Sequence, residues 1–252
     1  MKYLKISKGV EIHHDGDLPA RSGLGSSSSF TVGLLNALHA LENRIVSPND
    51  LAKQAIEVEQ QVLKESVGIQ DQIMASFGGM KIIEMGPGRQ WSAKPLILPE
   101  DYRKEFESHV LLGFSGISRI ANDHAKEQIE SIKSGKSSDH LKCILELANE
   151  ALKAFTENSS IDYLGKILDQ SWQAKRSISS GTSLEWMNEL YQTAIQNGAF
   201  GGKLLGAGGG GFFAFIAPPK SHEKIKNALS KIKVWVPFKI DHSGSQIIFN
   251  QH

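Results

Sequence analysis

An α+β fold follows from three features of this 252-residue sequence. Apolar residues recur at helical spacing near the start and through the middle of the chain. Short runs rich in β-branched and aromatic residues lie at 81–85, 109–114 and 211–217. Clusters of glycine, 24 residues in all, punctuate these elements, and neither a repeat nor a low-complexity linker interrupts them.

Taken in order, residues 27–41 carry Phe30, Leu34, Leu35, Leu38 and Leu41 along one helical stripe. Ser47-Pro48-Asn49-Asp50 opens a second helix, with Ser47 as N-cap and Pro48 at the first helical position, expected to run to about Lys64. VGIQDQIMASFGG (67–79) reads as a turn and a short helix that stops at its glycines. KIIEM (81–85) and HVLLGF (109–114) read as strands, and three or four helices are expected between about Ser118 and Asn197. A glycine loop at 206–211 leads into the strand GFFAFIA, which Pro218 and Pro219 end. SHEKIKNALSKI (221–232) is a helix, and VWVPFKI (234–240) and SQIIFN (245–250) read as closing strands. The charged, proline-containing stretch KPLILPEDYRKEFE marks a domain boundary near 100–108.

Composition narrows the function classes. Hydrophobic residues at 40% and charged residues at 22% fit a globular core and not a disordered chain. With a formal net charge of +1 and no basic stripe, nucleic acid is not expected as a partner. The longest apolar runs, such as FFAFIA (212–217), are far too short to span a bilayer, so no membrane partner is expected. The first residues, MKYLKISKGVEIHHDGD, lack the apolar core of a signal peptide. Cys143 is the single cysteine, so an internal disulfide is excluded. A soluble cytoplasmic protein is the expectation; a homo-oligomer is compatible with it.

Four serines follow Gly23-Leu24-Gly25 and run into the first helix. Unpaired backbone N–H groups, the positive end of the helix dipole and hydroxyl donors then meet at Ser26, Ser27, Ser28 and Ser29, which together suit a polyphosphate. Helix capping alone needs one serine, not four. The lysine-containing P-loop is excluded because no Lys follows Gly25, and the dinucleotide fingerprint fails because Ser28 stands where its third glycine belongs. In the second helix Ala52, Ala55, Ile56, Val62 and Leu63 form an apolar stripe that contains Glu59, whereas Glu57 has polar neighbours. Glu59 therefore points inward, either into a structural ion pair or toward a cation. Asp71, in Gly68-Ile69-Gln70-Asp71-Gln72, is either a helix N-cap or a carboxylate that acts on a hydroxyl. Lys203-Leu204-Leu205-Gly206-Ala207-Gly208-Gly209-Gly210-Gly211 is a second loop whose backbone can approach a ligand closely.

These segments resemble the GHMP kinases. Pro19 to Ser29 is similar to their phosphate loop at every specified position, and residues 203–211 are similar to their third motif, with Leu205 in place of a small hydroxyl residue. The resemblance implies a GHMP kinase fold: an N-terminal domain of the kind also found in a small-subunit ribosomal protein (1–105) and a ferredoxin-like C-terminal domain (106–252). It implies ATP bound through Gly23, Leu24, Gly25, Ser26, Ser27, Ser28, Gly206, Gly208 and Gly209. It further implies Mg2+ held by Ser27 and Glu59, which lies 12 residues before Asp71, and Asp71 as the catalytic group. EIHHDGDLPARSGLGSSS, VGIQDQIMASFGG, GFSGISR and SWQAKRSIS together resemble the branch that phosphorylates D-glycero-D-manno-heptose 7-phosphate at its anomeric hydroxyl. Gly210 and Arg119 would then bind substrate, a guanidinium matching phosphate oxygens, with Lys175 and Arg176 as weaker choices. Only 18 residues precede Pro19, whereas the family places a motif and several strands ahead of it. The expectation is a first domain short of those strands, and little turnover from residues 1–252 alone. Two further readings stand beside this one: a nucleotide-binding partner subunit without activity, and a GHMP kinase for another small alcohol.

Overall fold

Ser47 caps its helix as the sequence predicts: its Oγ accepts from the Asp50 amide at 3.1 Å and donates to the Asp50 carboxylate at 2.7 Å. The computed structural model describes residues 1–19, 22–117, 130, 132–135, 138–177, 185–206, 210–232 and 234–250. They fall into two units, one of residues 1–19, 25–97 and 240–250, the other of residues 22–24 and 98–239.

The first unit holds α1 (Ser26–Leu41), α2 (Pro48–Glu57), a π-helical turn (Val58–Val62), α3 (Gln70–Phe77) and an antiparallel pair of strands, β1 (Lys81–Met85) and β2 (Trp91–Pro95). Its core gathers Val32, Leu35, Leu51 and Ala55. The inner face of α1 is thus shifted from the expected stripe. Phe30 is exposed and meets His14 edge-on at 4.8 Å, while Val32 is fully buried. The helix opened by Ser47 also departs from expectation. After Glu57 it widens into a π turn, in which the Leu63 amide bonds to the Val58 carbonyl at 2.9 Å. The extra residue in that turn rotates Val62 and Leu63 out to solvent, so they do not extend the apolar stripe.

Residues 240–250 complete this unit. The Gly79 amide donates to the Asp241 carbonyl, and Asn36 Nδ2 donates to Ser245 Oγ at 3.0 Å. SQIIFN forms no strand; it finds no ladder partner among the described residues, and Ile248 and Phe249 are exposed.

The second unit holds α4 (Glu100–His109), β3 (Val110–Phe114), α5 (Ser138–Thr156), α6 (Ile161–Arg176), α7 (Glu185–Gln196), β4 (Gly201–Leu204), β5 (Phe212–Ile216), α8 (His222–Ala228) and β6 (Val234–Val236). The strands form one antiparallel sheet in the order β4-β5-β3-β6. β5 is an inner strand, and Phe212, Phe213 and Phe215 are wholly buried, which is why its sequence is apolar without alternation. One core gathers Trp172, Met187, Tyr191, Leu204, Phe213, Phe215 and Ile225; another gathers Tyr102, Leu147, Ile161, Leu164, Ile167 and Ile216. α6 lies close on β4 because both carry glycine at the contact: a Cβ added to Gly201 would stand 2.8 Å from the Gly165 carbonyl carbon. β6 stops at Val236 because Pro237 cannot donate to a ladder. No helix among the described residues is long and apolar enough to cross a membrane.

Candidate active site

Within the first unit the amino end of α1 is built by Gly25. It is the helix N-cap, in the left-handed region at φ 70° and ψ 22°, and no side chain caps the helix. The serines are therefore not caps. Ser26, Ser27 and Ser28 occupy the first turn, where the N–H groups have no acceptor within the helix. The first bond along the helix runs from the Ser29 amide to the Gly25 carbonyl at 2.9 Å. N–H groups without a helical acceptor and the helix dipole suit this end to an anion.

Ser28 is buried, and its Oγ donates to Glu59 Oε2 at 3.0 Å. Glu59 is 1% exposed and sits in the π turn, so the inward orientation read from the sequence holds. Gln72 Nε2 donates to the same Oε2, while Glu59 Oε1 has no hydrogen-bond partner among the described residues. A buried carboxylate oxygen without a donor or cation is costly. A divalent cation on Oε1 removes that cost, and the hard oxygen set of Glu59 and serine hydroxyls fits Mg2+. Ser27, the serine expected to share the ion, is exposed; its carbonyl accepts from Thr31 Oγ1 at 3.1 Å. Ser28, expected as a phosphate ligand and not as a partner of Glu59, and Gln72, which sequence reasoning passed over, are the residues that reach Glu59. A buried serine and amide carry no charge pattern to betray them, and the only signal was their place in the motifs.

Asp71 is the second residue of α3, whose N-cap is Ile69, so the helix-cap alternative falls away. A Cβ built on Gly25 would stand 3.0 Å from Asp71 Cγ and 3.2 Å from its Oδ2, so the carboxyl lies against the amino end of α1. Its outer side opens to solvent, yet neighbouring protein atoms displace enough water to raise its pKa, and the Glu59 charge raises it further. A carboxylate shifted this way is a stronger proton acceptor.

Within the second unit, Gly23 (φ 83°) and Gly206 (φ 76°) meet backbone to backbone, with a Cβ on Gly206 only 2.8 Å from Gly23 Cα. The loop after β4 is tied at both ends. The Leu205 amide bonds to the Phe212 carbonyl at 2.8 Å, and Ser115 and Gly211 exchange bonds, amide to carbonyl at 3.0 Å and amide to hydroxyl at 3.2 Å. The Phe212 amide donates to the Ser22 carbonyl at 2.9 Å, which fixes the approach to Gly23 and Leu24. Gly210 is buried against Ile117. Gly208, Gly209 and Arg119 lie outside the described residues.

Comparison with known proteins finds relatives for this chain. Residues 1–79 match the model of the GHMP kinases N terminal domain, and residues 144–233 match that of the GHMP kinases C terminal domain. The chain is 35% identical over 239 residues to the D-glycero-alpha-D-manno-heptose 7-phosphate kinase of Campylobacter jejuni, covering 93% of this chain and 69% of that one. The crystal structure of a D-glycero-D-manno-heptose 1-phosphate kinase from Bacteroides thetaiotaomicron superposes with a TM-score of 0.67 at 26% identity, over 93% of this chain and 66% of the other. The Lactococcus lactis galactokinase shares the fold, with a TM-score of 0.71 at 20% identity over 92% of this chain and 69% of that one. The chain thus spans about two thirds of the length of these relatives. Family models at both ends, and a relative of this identity over nearly the whole sequence, establish that the chain belongs to the GHMP kinases.

Proposed function

We propose that this chain transfers the γ-phosphoryl group of ATP to the anomeric hydroxyl of D-glycero-D-manno-heptose 7-phosphate, giving the 1,7-bisphosphate and ADP. GHMP kinases use ATP as substrate, and the identity to the Campylobacter heptose kinase supports the choice of sugar. Use of ATP supports a cytoplasmic location. The observation that carries the chemistry is the Asp71 carboxyl held against Gly25 at the amino end of α1. A phosphate bound by the N–H groups of Ser26, Ser27 and Ser28 is thereby put next to a proton acceptor.

In the proposed step the sugar hydroxyl oxygen bonds to the γ-phosphorus, the bond from that phosphorus to the ADP oxygen breaks, and the hydroxyl proton passes to Asp71. The helix N–H groups stabilise the charge spread over the transferring oxygens. Mg2+, when bound, would neutralise polyphosphate charge; Glu59, through Oε1, and the hydroxyls of the first turn of α1 would hold it. Gly23, Leu24, Gly206, Gly208 and Gly209 for nucleotide phosphate, and Gly210 and Arg119 for the sugar, are assigned on the motif resemblance. The test is 31P NMR of the chain with ATP, Mg2+ and each of heptose 7-phosphate, fucose and mevalonate. A new anomeric phosphate signal is expected only with the heptose phosphate, and it should build slowly from residues 1–252 alone. Turnover of another alcohol instead would reassign the substrate, and ATP binding with no turnover on any of them would favour a nucleotide-binding partner subunit.

A further inference from the structure

Lys175 stands in the last turn of α6, half-buried, and its Nζ donates to the carbonyl of Gly206 at 2.6 Å. Gly206 is itself packed on Gly23, where a Cβ would come within 2.7 Å of the Leu205 carbonyl oxygen. The ammonium is therefore one residue contact away from the first glycine of the serine loop. Lys203, also half-buried, lies on β4 two residues before Leu205 and brings a second positive charge toward the first. Other lysines of this protein reach a carboxylate, as Lys94 does Glu84 and Lys166 does Asp162. Among the described residues neither Lys175 nor Lys203 makes an ion pair. Burial lowers the pKa of both; that of Lys175 falls to about 8, with the Lys203 charge adding to the effect of lost water. Two partly desolvated cations that repel each other, with only a carbonyl answering Lys175 among the described residues, disfavour the folded state unless an anion joins them.

We infer that Lys175 and Lys203 together form a binding site for a phosphoryl group beside the glycine loop of the second unit. The same chemistry is carried by the polyphosphate of ATP and by the phosphate ester of a sugar phosphate, and the choice of those two ligands rests on the kinase reading. The lysines act as point charges, which suits a phosphate whose oxygens are shared with backbone N–H groups.

Calorimetric titration of the whole chain with inorganic tripolyphosphate, ATP, adenosine and heptose 7-phosphate tests the site. Lys175→Gln and Lys203→Gln are each expected to weaken a phosphate-bearing ligand by about 10- to 100-fold, and to leave adenosine unaffected. Each change removes a poorly solvated charge, so the melting temperature should hold or rise. Loss for ATP and tripolyphosphate assigns the site to the nucleotide; loss confined to heptose 7-phosphate assigns it to the sugar ester. Lys175→Arg adds an independent reading. At pH 8.5 roughly three quarters of Lys175 is neutral with a pKa of about 8, so binding an anion should draw in a proton. That uptake appears as a heat that differs between two buffers of unlike ionisation enthalpy, and the arginine variant should bind with less of it. Unchanged affinity for all the phosphate ligands in both glutamine variants would overturn the site, and would leave the kinase reading standing if turnover persists. A chain that binds tripolyphosphate through these lysines but phosphorylates no sugar would keep the site and remove the reading.

Discussion

Replacing Gly25 by alanine tests the geometry of the candidate active site at its tightest point. Two penalties act at that residue. The backbone sits at φ 70°, where an L side chain costs about 1–2 kcal/mol. The new methyl would also stand 3.0 Å from Asp71 Cγ, so reaching an ordinary contact of 3.4 Å requires the carboxyl to shift by about 0.4 Å. A misplacement of about 1 Å costs on the order of 100-fold in rate, so this shift should cost about five- to tenfold. Gly88 provides the control. It has φ 66° and nothing within 4 Å of an added Cβ, so Gly88→Ala carries the backbone penalty without the collision. Gly88→Ala should melt lower than the parent by about 2–8 °C for a chain of this size, and Gly25→Ala by at least as much. Only Gly25→Ala should lower kcat for phosphoryl transfer, measured by ADP release under saturating ATP and sugar phosphate. Equal turnover in the two variants would refute the argument that Gly25 positions Asp71.

Three other outcomes follow from the same structure. Asp71→Asn should reduce turnover by about 10²- to 10⁴-fold and spare ATP affinity by calorimetry, because Asp71 caps no helix. Its raised pKa also fixes a sign: the ionised form is disfavoured in the folded state, so the penalty applies at neutral pH and vanishes below the ordinary carboxylate range. Asp71→Asn should therefore melt at least as high as the parent at pH 7, with the gap closing near pH 3; a large loss of stability at pH 7 would contradict this. Glu59→Gln can still accept from Ser28, so the fold should survive while the gain in ATP affinity conferred by Mg2+ largely disappears. An undiminished Mg2+ effect would make Glu59 a structural carboxylate. Gly201→Ala puts a methyl onto the Gly165 carbonyl oxygen, and should destabilise the second unit by about 3 kcal/mol or leave the protein insoluble; a normal melting curve would show that α6 and β4 can separate.

What could be read in advance depended on how local the determinants were. Ser47 and Pro48 announce their helix because capping involves only the next few residues, and β5 announces itself by an unbroken apolar run. Glu59 was legible by helical phase because it lies only two residues beyond α2. The same phase argument failed for Val62 and Leu63, since the extra residue of the π turn had by then changed the register. β2 and β4 were not visible at all. WSAKP and GGKL have little strand character of their own, and their conformation is set by pairing with β1 and β5. The serine and glycine loops were recognisable as ligand-facing elements, but the contacts inside the site were not. Which serine meets Glu59 depends on the rotation of α1 about its axis, and the role of Gln72 depends on how α3 packs on the π turn.

The bond between Asn36 and Ser245 joins residues 209 positions apart, and the Gly79 amide likewise waits for Asp241. During synthesis, then, α1 to β2 leave the ribosome long before the segment that finishes their packing exists, while the sheet of the second unit can close without residues beyond 239. Order of emergence and order of completion are reversed. Long-range closure of this kind is slow relative to local pairing, so the half of the molecule that carries Asp71 and Glu59 is the half that spends longest unfinished, and the one on which a chaperone has most time to act.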